Sequence, residues 1–224
     1  MEKYFDRQIQ LWGIEKQQDL SSKHVLVVGC GGLGCSLAIA LGASGIGKIT
    51  LIDFDTVGIH NIHRQIAFKL DDVNKLKCDV LKEILIERSP YVEVDNFNGN
   101  FSEYIAQTTD VPTLILDATD NLETRLEIDK YAKTKKLAWI YGSVEEFHGQ
   151  VCLFSKSDFD SIFNIKKIAT KGIAAPIVMN IASLQANLAL RYLLNMAVKQ
   201  DVLYYLFFNE IGEFNIQKFG LPTS

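Results

Sequence analysis

His24 and the four apolar residues Val25-Leu26-Val27-Val28 pass without a break into Gly29-Cys30-Gly31-Gly32-Leu33-Gly34 and then into an Ala/Leu/Ile-rich stretch. Strand, tight turn and helix start are therefore contiguous, which predicts the first βαβ unit of a parallel sheet. Glycines at such a turn let the backbone approach a phosphate without a Cβ in the way. The unpaired N–H groups that open the helix carry partial positive charge, so a nucleotide is the natural guest. The same glycines would also serve plain helix-to-strand packing. Roughly 20 residues on, Asp53 closes the next apolar strand, where a carboxylate accepts hydrogen bonds from ribose hydroxyls. That position favours an unphosphorylated ribose.

The rest of the chain repeats this rhythm. Strands are predicted over His24–Val28, Lys48–Asp53, Tyr91–Asn96, Thr113–Asp117 and Leu137–Tyr141. Helical spacing covers Gly34–Ser44, Asn74–Arg88 (Leu76, Val80 and Ile84 recurring every fourth residue), Phe101–Gln107 and Asn121–Lys135. Nearly all-apolar strands alternating with amphipathic helices imply a doubly wound, Rossmann-like α/β fold with a mainly parallel sheet. After Gly142 the pattern changes. Gln150–Phe154 reads as a strand, Ser155–Lys171 as an irregular polar loop and Ile177–Met196 as a helix. Val202–Phe208 and Glu213–Lys218 read as a hairpin around Asn209–Gly212 that adds antiparallel strands at the C-terminal edge. With no repeat, linker or low-complexity tract, the expectation is one domain over 1–224: an N-terminal helix (1–20), a nucleotide-binding core (23–143) and a part carrying the edge strands (147–220).

Composition removes several classes. A formal net charge of -4 gives no broad basic field for nucleic acid. Cys30, Cys35, Cys78 and Cys152 form no C-x-x-C pair, so neither a disulfide framework nor a zinc knuckle is indicated, and a reducing compartment fits. The start, MEKYFDRQIQLWG, lacks a basic segment followed by an apolar run, so the expected location is the cytoplasm. Pro176–Val198 is interrupted by Asn180, Gln185, Asn187, Arg191 and Asn195, and reads as a buried or subunit-facing helix rather than a membrane span.

The glycine loop alone does not separate a dehydrogenase from an ATP user; the residues beyond the ribose do. Asp53, Asp55, Asn61, Arg64 and Gln65 lie within a dozen or so residues of a strand's C-terminal end, and Lys77 opens the next helix. Asp120 follows another strand and reaches the same sheet edge, where a carboxylate suits magnesium shared with phosphates. Hydride transfer has no need of that set. Attack on an α-phosphate with pyrophosphate leaving does need it, because charge builds on the phosphoryl oxygens. Against this, Arg64 and Lys77 also read as surface charges, and Asp120 as a cap for the helix near Asn121.

These residues resemble the ThiF/MoeB/HesA family, bacterial relatives of ubiquitin-activating enzymes. The matching motifs run over nearly the whole chain. They are Asp6-Arg7-Gln8-Ile9, the loop Gly29–Gly34, DFDTV at Asp53–Val57, Asn61 with Arg64-Gln65, Lys77, and DATDN at Asp117–Asn121. Arg125, and Ala175-Pro176 with Ser183-Leu184-Gln185-Ala186, complete the set. The resemblance implies an adenylyltransferase that uses ATP and magnesium. ATP would lie over Gly29, Gly31, Gly32 and Gly34 with Asp53 on the ribose, and Asp55, Asn61, Gln65, Asn121 and Arg125 would complete the nucleotide site. Arg64 and Lys77 would hold phosphates, Asp120 would organise magnesium, and Arg7 would reach the phosphates of a neighbouring subunit in a homodimer. The partner would be a small ubiquitin-like sulfur carrier, of thiamin or molybdopterin biosynthesis, whose C-terminal Gly-Gly carboxylate attacks the α-phosphate. The part over 147–220 would then bind the carrier.

Three departures from the family pattern stand out. The two C-x-x-C pairs of many relatives would fall near Ser155–Asp160 and beyond Leu221, and neither is present, so no zinc is expected. Lys166–Lys171 contains no cysteine, so the adenylate is expected to pass to a separate sulfur donor without a covalent enzyme intermediate. A glycine common three residues before the lysine is Asn74. The rival readings are an NAD-dependent oxidoreductase, for which Tyr131 and Lys135 are the only relay candidates, and a non-catalytic carrier-binding scaffold. His24, His60, His63 and His148 have no partners in the sequence that would make a metal site.

Overall fold

The computed structural model describes residues 2–163 and 172–223. The chain opens with helices α1 (Asp6–Trp12) and α2 (Ile14–Leu20), followed by β1 (His24–Val28), α3 (Gly32–Ser44), β2 (Lys48–Ile52), α4 (Lys77–Arg88) and β3 (Glu93–Phe97). Next come α5 (Phe101–Gln107), β4 (Leu114–Asp117), α6 (Leu122–Lys135), β5 (Trp139–Glu145), β6 (His148–Phe154) and the single-turn α7 (Phe159–Ile162). The long helix α8 (Ala175–Leu193) leads to β7 (Val202–Phe208) and β8 (Phe214–Gly220).

All eight strands form one sheet in the order β3-β2-β1-β4-β5-β6-β7-β8. Pairing is parallel from β3 to β5 and antiparallel from β5 to β8, as expected of a Rossmann-like core extended at its C-terminal edge. Period-2 alternation divides the central strands between two cores. Val25, Val27, Leu51 and Leu116 belong to the layer under α3, α4 and α8, whereas Leu26, Val28, Ile52 and Ile115 belong to the one packed with Phe101 of α5 and Ile128 of α6. Strands covered on both faces must be apolar throughout, which is why they were visible as unbroken runs. Each side chain buried completely, such as Leu37 or Leu41, contributes ~1.5–3 kcal/mol.

Several boundaries depart from expectation. The N-terminal helix breaks at Gly13 (φ 86°) into two short ones. The first helix after the glycine loop starts at Gly32, inside the loop, and the next starts at Lys77 rather than Asn74. Asn74 itself has φ 72°, a left-handed conformation that favours glycine and that asparagine tolerates better than most residues. In α4 the fully buried positions are Cys78, Leu81 and Leu85; of the row Leu76, Val80 and Ile84, Val80 is in the core and the other two are partly buried at its border. β5 continues to Glu145 and makes a hairpin with β6 through Glu146, at φ 50°. Ser155–Lys171 is not wholly irregular: α7 forms there because Phe159 is fully buried against Trp139 and Tyr141, each ring 5.5 Å away.

Close to α7, where the first cysteine pair of many relatives would fall, the turn after β6 wraps a carboxylate. Asp201 Oδ1 accepts from the backbone N–H groups of Ser155 (3.0 Å), Lys156 (3.1 Å) and Ser157 (3.1 Å). Its own carbonyl accepts from Leu221 N (2.9 Å), so one residue ties the turn to the C-terminal segment. Asp201→Ala leaves those donors without their acceptor and is expected to cost ~2 kcal/mol, or about 4–8 °C in Tm for a chain of this size. Thermal unfolding within about 1 °C of the unaltered protein would show that the clasp carries no such weight.

Candidate active site

The strand order reverses between β1 and β4, where Val28 pairs with Asp117. Open α/β sheets bind ligands beyond the carboxyl ends of their strands at that point. A cavity of about 680 Å³ lies there, walled by the glycine loop, the Asp53–Gln65 segment, Lys77, the Ala118–Arg125 segment and the end of β5.

The four glycines have different jobs. Gly29 has φ +95°, and a Cβ on it would meet Ala118 O at 2.7 Å; a Cβ on Gly34 would meet Gly29 O at 1.9 Å. Those two are required by helix-to-strand packing, and Gly34 does not line the cavity. Gly31 differs, since a Cβ there would find only Gln65 Nε2, at 3.5 Å. Its bare face is therefore open to a ligand beside the N-terminus of α3, which no side chain caps.

Asp53 follows β2 directly. Its Oδ2 accepts from Cys30 N (2.6 Å) and its Oδ1 from Asp55 N (2.7 Å), so the carboxylate braces the glycine loop. Burial pushes its pKa up, against the pull of the two N–H donors and Lys77. Lys77 is nearly buried and places Nζ 2.7 Å from Asp55 Oδ2. Arg64 Nη1 donates to His60 O (3.1 Å) and lies 3.0 Å from His63 Nε2. Asn61 is buried and accepts from Gly58 N (2.9 Å) through Oδ1. Gln65 is 4% exposed, and its Oε1 has no hydrogen-bond partner among the described residues. A buried, unsatisfied amide oxygen on a cavity wall marks where a ligand's hydrogen-bond donor belongs.

Across the cavity Asp120 is exposed and on the wall. It is not the helix cap: Asn121 is, with Oδ1 accepting from Thr124 N (2.8 Å). Arg125 lines the cavity too, but its guanidinium points into the protein, with Nε 3.0 Å from Asp117 Oδ2 and Nη2 2.6 Å from Thr119 O. Arg7 is exposed on α1 and absent from this wall, so within one chain the predicted residues converge without it.

Sequence reading overlooked a further part of the cavity wall, which includes Tyr141, Ser143, Glu145, Gln150, Ile173 and Val178. Ending the strand at Tyr141 hid it. The alternation Tyr141, Ser143, Glu145 was the available signal, since alternate residues of a strand share a face. Among the described residues no three His, Cys, Asp or Glu are grouped to hold a metal ion. All four cysteines are buried; burial pushes the Cys35 thiol up to about 12 and raises those of Cys30 and Cys152. Thiols in that state are poor nucleophiles at neutral pH. The segment Lys166–Lys171 lies outside the described residues.

The model of the ThiF family matches residues 5–223. The chain belongs to the ThiF family. This ThiF-family chain is 29% identical to the molybdopterin-synthase adenylyltransferase of Haemophilus influenzae, over 98% of the chain and 95% of that relative. It is 32% identical to that of Salmonella typhimurium, over 84% of the chain and 81% of the relative. Among solved structures, Escherichia coli MccB with AMPCPP and MccA superposes with a TM-score of 0.86 over 99% of this chain and 72% of that one. At 20% identity that likeness speaks to the fold alone. The relatives place the chain among the nucleotidyltransferases, as expected, and away from the oxidoreductases. Among the described residues no helix is long and apolar enough to cross a membrane.

Proposed function

We propose that the chain adenylates the C-terminal glycine carboxylate of a small ubiquitin-like sulfur carrier with ATP, releasing pyrophosphate. The observation that carries this reading is one cavity whose lining runs from Gly31, Gln65, Arg64, Lys77 and Asp120 to Ser143, Glu145 and Gln150 of the β5–β6 hairpin. In this reading the first group holds the nucleotide and the hairpin side receives the extended tail of the carrier. The relatives' activity makes a carrier of the molybdopterin type the first choice, with a thiamin-type carrier as the alternative.

The residues present fit ATP. Gly31 has an open face, Gln65 an unpartnered amide oxygen and Asp53 a carboxylate on the cavity wall that would take the ribose, and Arg64 and Lys77 are cations. Asp120, a hard oxygen donor free of capping duty, fits magnesium, which would neutralise charge developing on the phosphates. In the step proposed, a carboxylate oxygen of the carrier bonds to the α-phosphorus while the bond from that phosphorus to the bridging oxygen breaks. Pyrophosphate takes the electron pair, and no proton moves. Lys77 and Arg64 exchange Asp55 and the His60 carbonyl for phosphate oxygens, and the protein supplies position and charge rather than a nucleophile. Arg7, absent from the wall of its own chain's cavity, serves the site of a second copy, so the working unit is a homodimer. The acyl-adenylate then passes to a separate sulfur donor, in the cytoplasm.

ATP–pyrophosphate exchange measured with each purified carrier tests the reading. Carrier-dependent exchange is expected, and none with either carrier would overturn it. Preferential binding of NAD over ATP would restore the oxidoreductase.

A further inference from the structure

The turn Asp117–Asn121 that carries Asp120 is held from within the protein on several sides. Arg125 Nε donates to Asp117 Oδ2 (3.0 Å), and Arg125 Nη2 donates to Thr119 O (2.6 Å) and Gly142 O (3.3 Å). Asp117 Oδ1 accepts from both the N–H (2.9 Å) and the hydroxyl (2.6 Å) of Thr119. From α8, Gln185 Nε2 donates to the Asp117 carbonyl (2.7 Å), and Ala118 N donates to Val28 O (2.8 Å). The guanidinium also lies over the Tyr141 ring, 5.0 Å from its centroid.

Burial makes this arrangement costly to break. Asp117 and Gln185 are 0% exposed and Arg125 7%. A buried ion pair is costly unless its geometry is good and its remaining hydrogen bonds are met, and such pairs gain specificity of arrangement rather than net stability. Gly142 has no Cβ because one would lie 2.4 Å from Gln185 Nε2, so the sheet makes room for the amide that holds the turn. Gln185 does not line the cavity, and whatever it contributes to the site it contributes through the backbone of Asp117.

We propose that Arg125, Asp117 and Gln185 are positioning residues that clamp the Asp117–Asn121 turn so that Asp120 faces the cavity, and that Arg125 does so instead of contacting the nucleotide. The inference rests on the role given above to Asp120, and it replaces the sequence expectation that Arg125 binds the cofactor directly. The clamp acts on the metal half of the nucleotide complex. Loosening it should weaken what Asp120 does while leaving the glycine loop, Asp53 and Lys77 as they are.

The test uses Arg125→Lys, which keeps the charge but cannot hold Asp117, Thr119 and Gly142 together, and Gln185→Met, which removes one bond outside the cavity. ATP affinity is measured by calorimetry without a divalent ion and with magnesium, and the manganese–ATP complex is followed by electron paramagnetic resonance. Both variants should fold, bind metal-free ATP within about twofold of the unaltered protein, and lose at least about fivefold of the metal-induced tightening, with a broadened manganese signal. Metal-free affinity falling in Arg125→Lys while metal-induced tightening stays intact would mean that Arg125 touches the nucleotide, and would overturn the proposal. So would unchanged metal-induced tightening in both variants, or failure of both to fold, since the bonds would then serve the sheet alone. Absence of metal-induced tightening in the unaltered protein would instead refute the role of Asp120.

Discussion

Asp120→Asn is expected to lower carrier-dependent ATP–pyrophosphate exchange at least about tenfold and to leave the fold intact. The size follows from what removing one preorganised electrostatic group costs at a site of developing charge, about 3 kcal/mol in the better-measured cases. Asp120 is exposed, and Asn121 performs the helix-capping that Asp120 was also a candidate for, so no structural duty is lost with the charge. Because asparagine keeps the shape and one oxygen, the loss should fall on kcat far more than on ATP affinity measured without a divalent ion. Exchange near the unaltered rate, in a variant shown to be folded, would remove Asp120 from the mechanism.

A second large effect is expected at Arg7. Arg7→Ala alone should abolish most exchange, although the residue lies on α1 and lines no part of the cavity of its own chain. Mixing inactive Arg7→Ala with inactive Asp120→Asn should restore activity. Each mixed dimer would hold one site with both residues mutated and one with neither, provided that Arg7 acts in trans. With random exchange about half of all dimers are mixed and each has one working site, so recovery should approach a quarter of the activity of the unaltered protein. The measurement is exchange activity after subunit mixing demonstrated by native mass spectrometry of isotopically labelled chains. Mixed dimers with no recovery would count against a shared site.

What the sequence revealed and what it hid follow from the range of the interactions involved. Buried strands read as apolar runs because both faces are covered, and the glycine loop with Asp53 read as a nucleotide site because its parts are contiguous or one strand apart. The acidic Asp120 and the basic Arg64 and Lys77 were legible as residues of a type at one sheet edge; that they line a single cavity with Gly31 became visible only with the fold. Contacts set by distant partners gave no local signal. Arg125 is conspicuous as a charge near the DATDN motif, and nothing in its neighbourhood announces that Gly142 and Asp117 engage it. The β5–β6 hairpin was cut short because its outer halves carry Ser143, Glu145 and His148, which are polar enough to resemble a turn. Asp201 accepts from Ser155, 46 residues away, and stands alone in its own segment.

That carboxylate has a consequence for what the corner of the fold depends on. A turn gathered by three amides around one side chain is complete as soon as the polypeptide is, and it draws on no ion from the medium and no thiol from the redox pool. The clasp therefore rests on a single codon. Starvation for a trace element or exposure to an oxidant leaves such a clasp untouched, while one nucleotide change in the gene is enough to open it.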